Sequence, residues 1–218
     1  EKLVQEAIAS AFRVAAVYRR EEIGESAMAR LSALASPSPV LAVVEIPAAL
    51  RTGSEDFRAP LPAGLCLALD GIRDPGNMGT ILRLADWFGI PDVFASPDCV
   101  EFFNPKVVQA SMGSLFRTQL HRTALPALCR RFSGAGRAVY GTFLDGENLY
   151  GQALGDDALI LMGNEADGIR EETAAAVTAR LLIPRFGAVS GAESLNVAAA
   201  TAITLAEFRR RQSQTACR

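Results

Sequence analysis

The 218-residue sequence has a single histidine, His121, and four widely scattered cysteines, Cys66, Cys99, Cys129 and Cys217, with no C-x-x-C pair. No metal-ligand cluster can be read from such spacing, and a Ser-His-Asp triad would have to pass through His121, whose neighbours support none. Reduced thiols in a cytosolic protein are the expected state. No apolar run approaches the length of a membrane-spanning helix, and no charged-then-apolar leader opens the chain. A start at Glu1 in place of Met points to trimming of N-terminal sequence. Positive charge is not in excess either. A net charge of −2 and a pI near 5.6 argue against broad, non-specific coating of nucleic acid. Local basic surfaces remain open at Arg19-Arg20, Arg130-Arg131 and Arg209-Arg210-Arg211, although solvated helix ends explain each run as simply. Finally, neither G-x-G-x-x-G nor G-x-x-x-x-G-K-[ST] occurs, so a nicotinamide oxidoreductase or a nucleoside-triphosphate enzyme lacks its usual fingerprint.

What is present reads as an ordinary globular chain, long enough for one large or two small domains. Residues 1–50 suggest a small α/β unit. It has helical spacing in "EKLVQEAIAS" and "GESAMARLSALA", a short strand in "RVAAVY" and a buried strand in "VLAVVEI". A Pro-, Gly- and charge-rich stretch without periodicity follows, and 51–63 reads as a linker. From residue 64 the pattern alternates. Strands are expected at 65–69, 92–95, 137–141, 158–162 and 180–183, with a short addition at 118–122. Helices are expected at 77–88, 104–110, 124–132, 170–177 and 194–211. This alternation predicts an α/β fold with a mostly parallel sheet covered by helices on both faces. The Ala-rich last helix suits close packing, either in the core or at a dimer interface.

Three polar, glycine-containing turns follow strands, where an open parallel sheet places its ligand crevice. In "DGIRDPGNMGTILRLADWFGI" Pro75 and Gly76 make the turn, Asn77 is placed to cap the helix, and Arg83 sits among apolar residues. A guanidinium in that setting suits a phosphate or carboxylate, although a surface ion pair would explain it too. In "ALILMGNEADGI" a buried strand runs into Gly163-Asn164-Glu165, where glycine permits close approach of backbone to a ligand. In "LLIPRFGAVSGAESLNVAAA" Ser194 is most simply a helix cap, whereas Asn196 has no need to be there on helix propensity alone.

The order and wording of these three stretches resemble motifs one, two and three of the SpoU/TrmH family of RNA 2'-O-ribose methyltransferases, part of the SPOUT class. "NPKVVQASMGSLFR" (104–117) is similar to the segment that family carries between its first two motifs. The N-terminal unit resembles, more weakly, the small ribosomal-protein-like RNA-binding domain of many members. The resemblance implies a small α/β RNA-binding domain at 1–50, a linker at 51–63, and a catalytic domain at 64–218 with a C-terminal trefoil knot. It implies transfer of a methyl group from S-adenosylmethionine to a ribose 2'-hydroxyl, without a metal, in a cytoplasmic homodimer with no membrane attachment. Ribosomal RNA of the 23S type is favoured over tRNA because of the N-terminal unit. A non-catalytic RNA-binding relative is the alternative, and retention of all five polar motif residues argues against it.

Carried over residue by residue, the resemblance assigns Asn77, Arg83, Glu165, Ser194 and Asn196 to catalysis. Arg83 would grip the phosphate beside the target ribose and polarise its hydroxyl, and the other four would orient it and the substrate. Thr142, Gly163, Ile183 and Leu195 match the positions that hold the cofactor. One departure is the segment between Ile183 and Ser194, which is longer than is usual in the family, with Ala-Val-Ser-Gly (188–191) as the inserted residues.

Overall fold

The computed structural model describes residues 1–32, 34, 36–48, 57–187 and 193–216. The first 48 residues carry α1 (Lys2–Ala9), β1 (Val14–Arg19), α2 (Arg20–Ile23), α3 (Glu25–Leu31) and β2 (Val40–Val44). β1 and β2 pair antiparallel as a sheet of their own. The expectation of a buried strand at "VLAVVEI" is corrected here: only Val40 is buried, and Val43 is 45% exposed. A two-stranded sheet has no layer on its second face to bury these side chains.

The rest of the chain forms β3 (Leu65–Asp70), α4 (Pro75–Trp87), β4 (Asp92–Ala95), α5 (Pro105–Ala110), β5 (Gln119–Arg122), α6 (Leu125–Gly134), β6 (Ala138–Asn148), β7 (Ala158–Gly163), α7 (Glu171–Ala174), β8 (Ala179–Leu182) and α8 (Val197–Ala216). The six strands form one sheet in the order β5-β4-β3-β7-β6-β8, and each of the five ladders is parallel. β3 is buried along its whole length, as an apolar run with helices on both sides requires. Leu65, Leu67 and Leu69 point to a core shared with α4, α5 and α8. Cys66 and Ala68 point to the opposite core, shared with α6.

The segment 57–63 lies against this sheet. Phe57 packs edge-on to Phe94 and His121, with centroids 5.0 Å away from each. Arg131 donates to the carbonyls of Phe57 and Ala59, and Arg137 to those of Pro62 and Gly64. Residues 51–56, the remainder of the stretch read as a linker, lie outside the described residues. The N-terminal unit meets the sheet domain through Phe12, edge-on to Phe103 and Phe116, and through Glu6, which pairs with Arg117.

β3 and β7 are neighbours, with Asp70 registered on Gly163. The turns that leave these two strands therefore emerge side by side, at the point where the strand order reverses.

Candidate active site

Asp74, not Asn77, caps α4: its carboxylate accepts from the Asn77 backbone N–H at 2.7 Å, and Pro75 opens the helix. The sequence expectation is corrected, and the consequence matters. With the cap supplied by Asp74, the Asn77 side chain is free to face the neighbouring turn.

There it donates from Nδ2 to Glu165 Oε1 at 2.5 Å, while its Oδ1 accepts from Asn196 Nδ2 at 2.9 Å. Reversing the amide would set its oxygen against the carboxylate, so the partners dictate its orientation. Asn196 in turn is the cap of α8, its Oδ1 accepting from the backbone of Ala198 and Ala199 at 3.0 and 3.2 Å. That role was expected of Ser194, which is exposed and lies before the helix. Glu165 Oε1 also accepts from the Val197 backbone at 3.4 Å, placing its charge at the positive end of α8. One chain of hydrogen bonds thus links the starts of α4 and α8 to the turn after β7. Glu165 Oε2 accepts no hydrogen bond from the described residues.

The turn carrying Glu165 is compact. Asn164 and Gly168 close it with a pair of backbone hydrogen bonds, and Gly168 has φ +69°. Gly163 has a structural reason to lack a side chain, because a Cβ there would meet the Gly168 carbonyl carbon at 2.3 Å.

Glu165 stands on the wall of a cleft of about 900 Å³ between the ends of β6, β7 and β8 and the start of α8. Thr142, Gly163, Ile183 and Leu195 all line it, as does Ser194. The four residues reach it from separate elements. Thr142 sits where the β6–β8 ladder breaks, before pairing resumes at Glu147. Ile183 follows β8 and packs on the core as well as facing the cleft. Leu195 is 48% exposed at the mouth. Apolar walls from Met162, Ile183 and Leu195 with polar groups at one side suit a ligand that has both an aromatic part and a charged part. The inserted Ala188–Gly191 lies outside the described residues.

Arg83 is not brought to this chain of hydrogen bonds. Six residues after Asn77, it projects about 120° away around the helix. It is exposed and makes no hydrogen bond or ion pair with the described residues, while Ile81, Leu82 and Ala85 bury the other side of α4. Cys66 and Cys129 lie on the opposite side of the sheet from this chain of hydrogen bonds, in the core shared with α6. Burial pushes Cys66 and Cys129 up to about 12, which leaves both protonated and unreactive at neutral pH. Sequence reasoning missed Asp74, Asn164 and the Asp70–Arg170 pair beneath the two turns. An Asp directly before Pro at a helix start was a legible signal for the first.

A sequence profile of the SpoU rRNA Methylase family matches residues 64–206. The 23S rRNA (guanosine-2'-O-)-methyltransferase RlmB of Neisseria meningitidis is 37% identical over 150 residues, which cover 68% of this chain. The same match covers 59% of RlmB, so this chain spans less than two thirds of that relative. Among solved structures, a TrmH-family protein from Porphyromonas gingivalis superposes with a TM-score of 0.84 at 39% identity, over 96% of this chain and 87% of that one. An AdoMet-bound rRNA methyltransferase from Sinorhizobium meliloti superposes with a TM-score of 0.80 at 28% identity, over 97% of this chain and 85% of that one.

Proposed function

This chain belongs to the SpoU rRNA Methylase family, and from that membership and the geometry of the cleft we propose that it methylates a ribose 2'-hydroxyl in structured RNA. The observation that carries the proposal is a convergence. Asn77, Glu165 and Asn196, from three separate motifs, form one hydrogen-bonded chain, and it lies beside a cleft lined by all four residues expected to hold the cofactor. The cofactor is S-adenosylmethionine, held by Thr142, Gly163, Ile183 and Leu195. The residues fit it: Met162, Ile183 and Leu195 offer an apolar wall for an adenosine, the backbone is open around Gly163, and Glu165 supplies a carboxylate on the same cleft. When bound, it supplies a methyl group already activated on a sulfonium.

The work left to the protein is placement of a weakly acidic hydroxyl, stabilisation of its developing negative charge and transfer of its proton to a base. Arg83 holds the phosphate next to the target ribose and polarises the hydroxyl. Asn77 and Asn196 hold Glu165 in one orientation, with Oε2 left for a donor in the cleft. Ser194, on the opposite wall, donates or accepts at the ribose.

Arg83 points away from the Asn77–Glu165 contact within its own chain. A homodimer, in which α4 of one copy faces the cleft of the other, would bring it to the ribose. Exposed Ala199 and Ala206 on α8, with half-buried Ala202 between them, leave room for such a partner. Residues 1–50 act as the RNA-binding domain beside a catalytic domain at 64–218 whose C-terminal part is knotted, and the protein works in the cytoplasm. Ribosomal RNA is the favoured substrate, since the match to the rRNA methyltransferase of S. meliloti extends over the N-terminal unit.

The test is incubation with labelled S-adenosylmethionine and separate pools of 23S rRNA and tRNA. Label in rRNA that survives alkali as a 2'-O-methyl dinucleotide is the expected result. Label confined to tRNA would move the substrate assignment. Label in neither, with the cofactor bound, would favour a non-catalytic RNA-binding relative.

A further inference from the structure

Glu165 is held from above by Asn77, but the turn that carries it is also held from below. Asp70, the last residue of β3, is fully buried. Its Oδ1 accepts from Arg170 Nε at 2.7 Å and pairs with Nη2 of the same guanidinium, while its Oδ2 accepts from the Arg170 backbone at 3.0 Å. Arg170 is the residue at which the Glu165 turn ends and α7 begins. The turn's other end is fixed by Asn164, which donates from Nδ2 to the Gly71 carbonyl at 2.8 Å. Gly71 donates to Ser96 Oγ, and Ser96 donates to Asp98, which Arg170 Nη1 approaches to 3.3 Å.

The turns after β3, β4 and β7 are therefore tied into one polar block, and the Asp70–Arg170 pair joins the start of the turn after β3 to the end of the turn that carries Glu165. Asp70 is buried while Arg170 is 38% exposed, and such a pair is a poor device for stability alone, because desolvation of the carboxylate offsets much of the attraction. It is a good device for fixing geometry. The guanidinium fork defines direction as well as distance, which a lysine could not do.

We propose that Arg170, clamped by Asp70, is a positioning residue that sets where Glu165 stands relative to Asn77. The proposal rests on the reading of Glu165 as part of the methyl-transfer site.

The experiment is a double-mutant cycle on the full chain with Arg170→Gln and Glu165→Gln. Methyl transfer to 23S rRNA is read together with backbone hydrogen exchange of residues 164–169 in the free protein. Arg170→Gln is expected to lower kcat by about a hundredfold with KM for the cofactor little changed, since a displacement near 1 Å is enough for such a loss. It should speed exchange in the turn by about tenfold or more. In the Glu165→Gln background the same change should cost almost nothing further, because both act through one group. Arg170→Lys should recover only part of the loss. If Arg170→Gln does not fold, Asp70→Asn/Arg170→Gln, which leaves no orphaned charge, takes its place with the same expectations.

Losses that multiply in the double variant, or unchanged exchange in the turn, would overturn the proposal. If the wild type methylates no RNA, the functional reading fails on its own, and the exchange comparison still decides the positioning claim.

Discussion

The two walls of the cleft are built on different plans. The wall after β7 is fixed before any ligand arrives. Asn164 and Arg170 fasten its two ends to the turn after β3, and Asn77 fastens Glu165 in the middle. The wall after β8 is open by contrast. Phe186 is 91% exposed and Leu195 48%, and Glu193 and Ser194 are exposed beside them. The difference teaches a division of labour. On the proposed function, the groups that must be placed to within a fraction of an ångström sit on the fastened wall, where no reorganisation is needed at the moment of reaction. On the same reading, the groups that cover a ligand sit on the open one, where apolar surface is exposed.

The comparison can be broken most severely at Gly163. An alanine Cβ there would lie 2.3 Å from the Gly168 carbonyl carbon, backbone that cannot swing aside. Gly163→Ala is expected to destabilise the fold by about 1–3 kcal/mol and to abolish transfer by pushing out the Glu165 turn. A thermal midpoint within a degree of wild type would show the wall to be softer than drawn. Asn196→Ala comes next. It removes the α8 cap, worth about 1 kcal/mol, together with the support of Asn77 Oδ1, so a drop in the thermal midpoint should accompany a fall in kcat.

Substitutions on the open wall should do less and do it differently. Phe186→Ala and Leu195→Ala are each expected to weaken cofactor binding by about five- to thirtyfold, in line with the loss of about 1–2 kcal/mol of apolar burial, while leaving thermal stability unchanged. Calorimetric titration with S-adenosylmethionine checks both, and equal affinity in both variants would remove these side chains from the site.

The smallest effect sharpens the comparison at a distance, where the N-terminal unit meets α4. Burial pushes the Asp86 carboxyl up, but the hydrogen bonds from Arg117 and Ser114 outweigh it and hold it below the usual carboxylate range. A lowered folded value means that this stabilisation is complete above about pH 4 and is lost as the pH falls through the folded value. Arg117 also pairs with Glu6, so acidification below that point should loosen α1 from the sheet domain. Asp86→Asn should flatten the fall of thermal midpoint between pH 5 and 3, and an unaltered fall would assign it to other carboxylates.

The strands and helices around the site were legible because apolar runs such as "GLCLALD" and "ALILMG" leave little choice of element. The short strand at 118–122 was legible too, as β5 at the sheet edge. The caps were not. Asn77 and Ser194 are the residue types that cap helices, yet Asp74 and Asn196 do so, because both Asp and Asn were within reach and tertiary contacts decided between them. The direction of Arg83 was hidden for a related reason. Apolar neighbours in sequence are not neighbours in space on a helix, and Ile81, Leu82 and Ala85 turn inward while Arg83 turns out. The Asp70–Arg170 pair joins residues 100 positions apart, a distance at which no local pattern carries information.

The most direct test of the central claim is Asn77→Ala beside the wild type, with transfer of labelled methyl to 23S rRNA and binding of S-adenosylmethionine measured on both. Asn77 touches Glu165 and Asn196 but does not line the cleft. The account predicts that transfer falls by about a hundredfold while cofactor affinity stays within a few-fold of wild type. Full transfer by Asn77→Ala would contradict it, since the hydrogen-bonded chain that joins the three motifs would then have no part in the reaction.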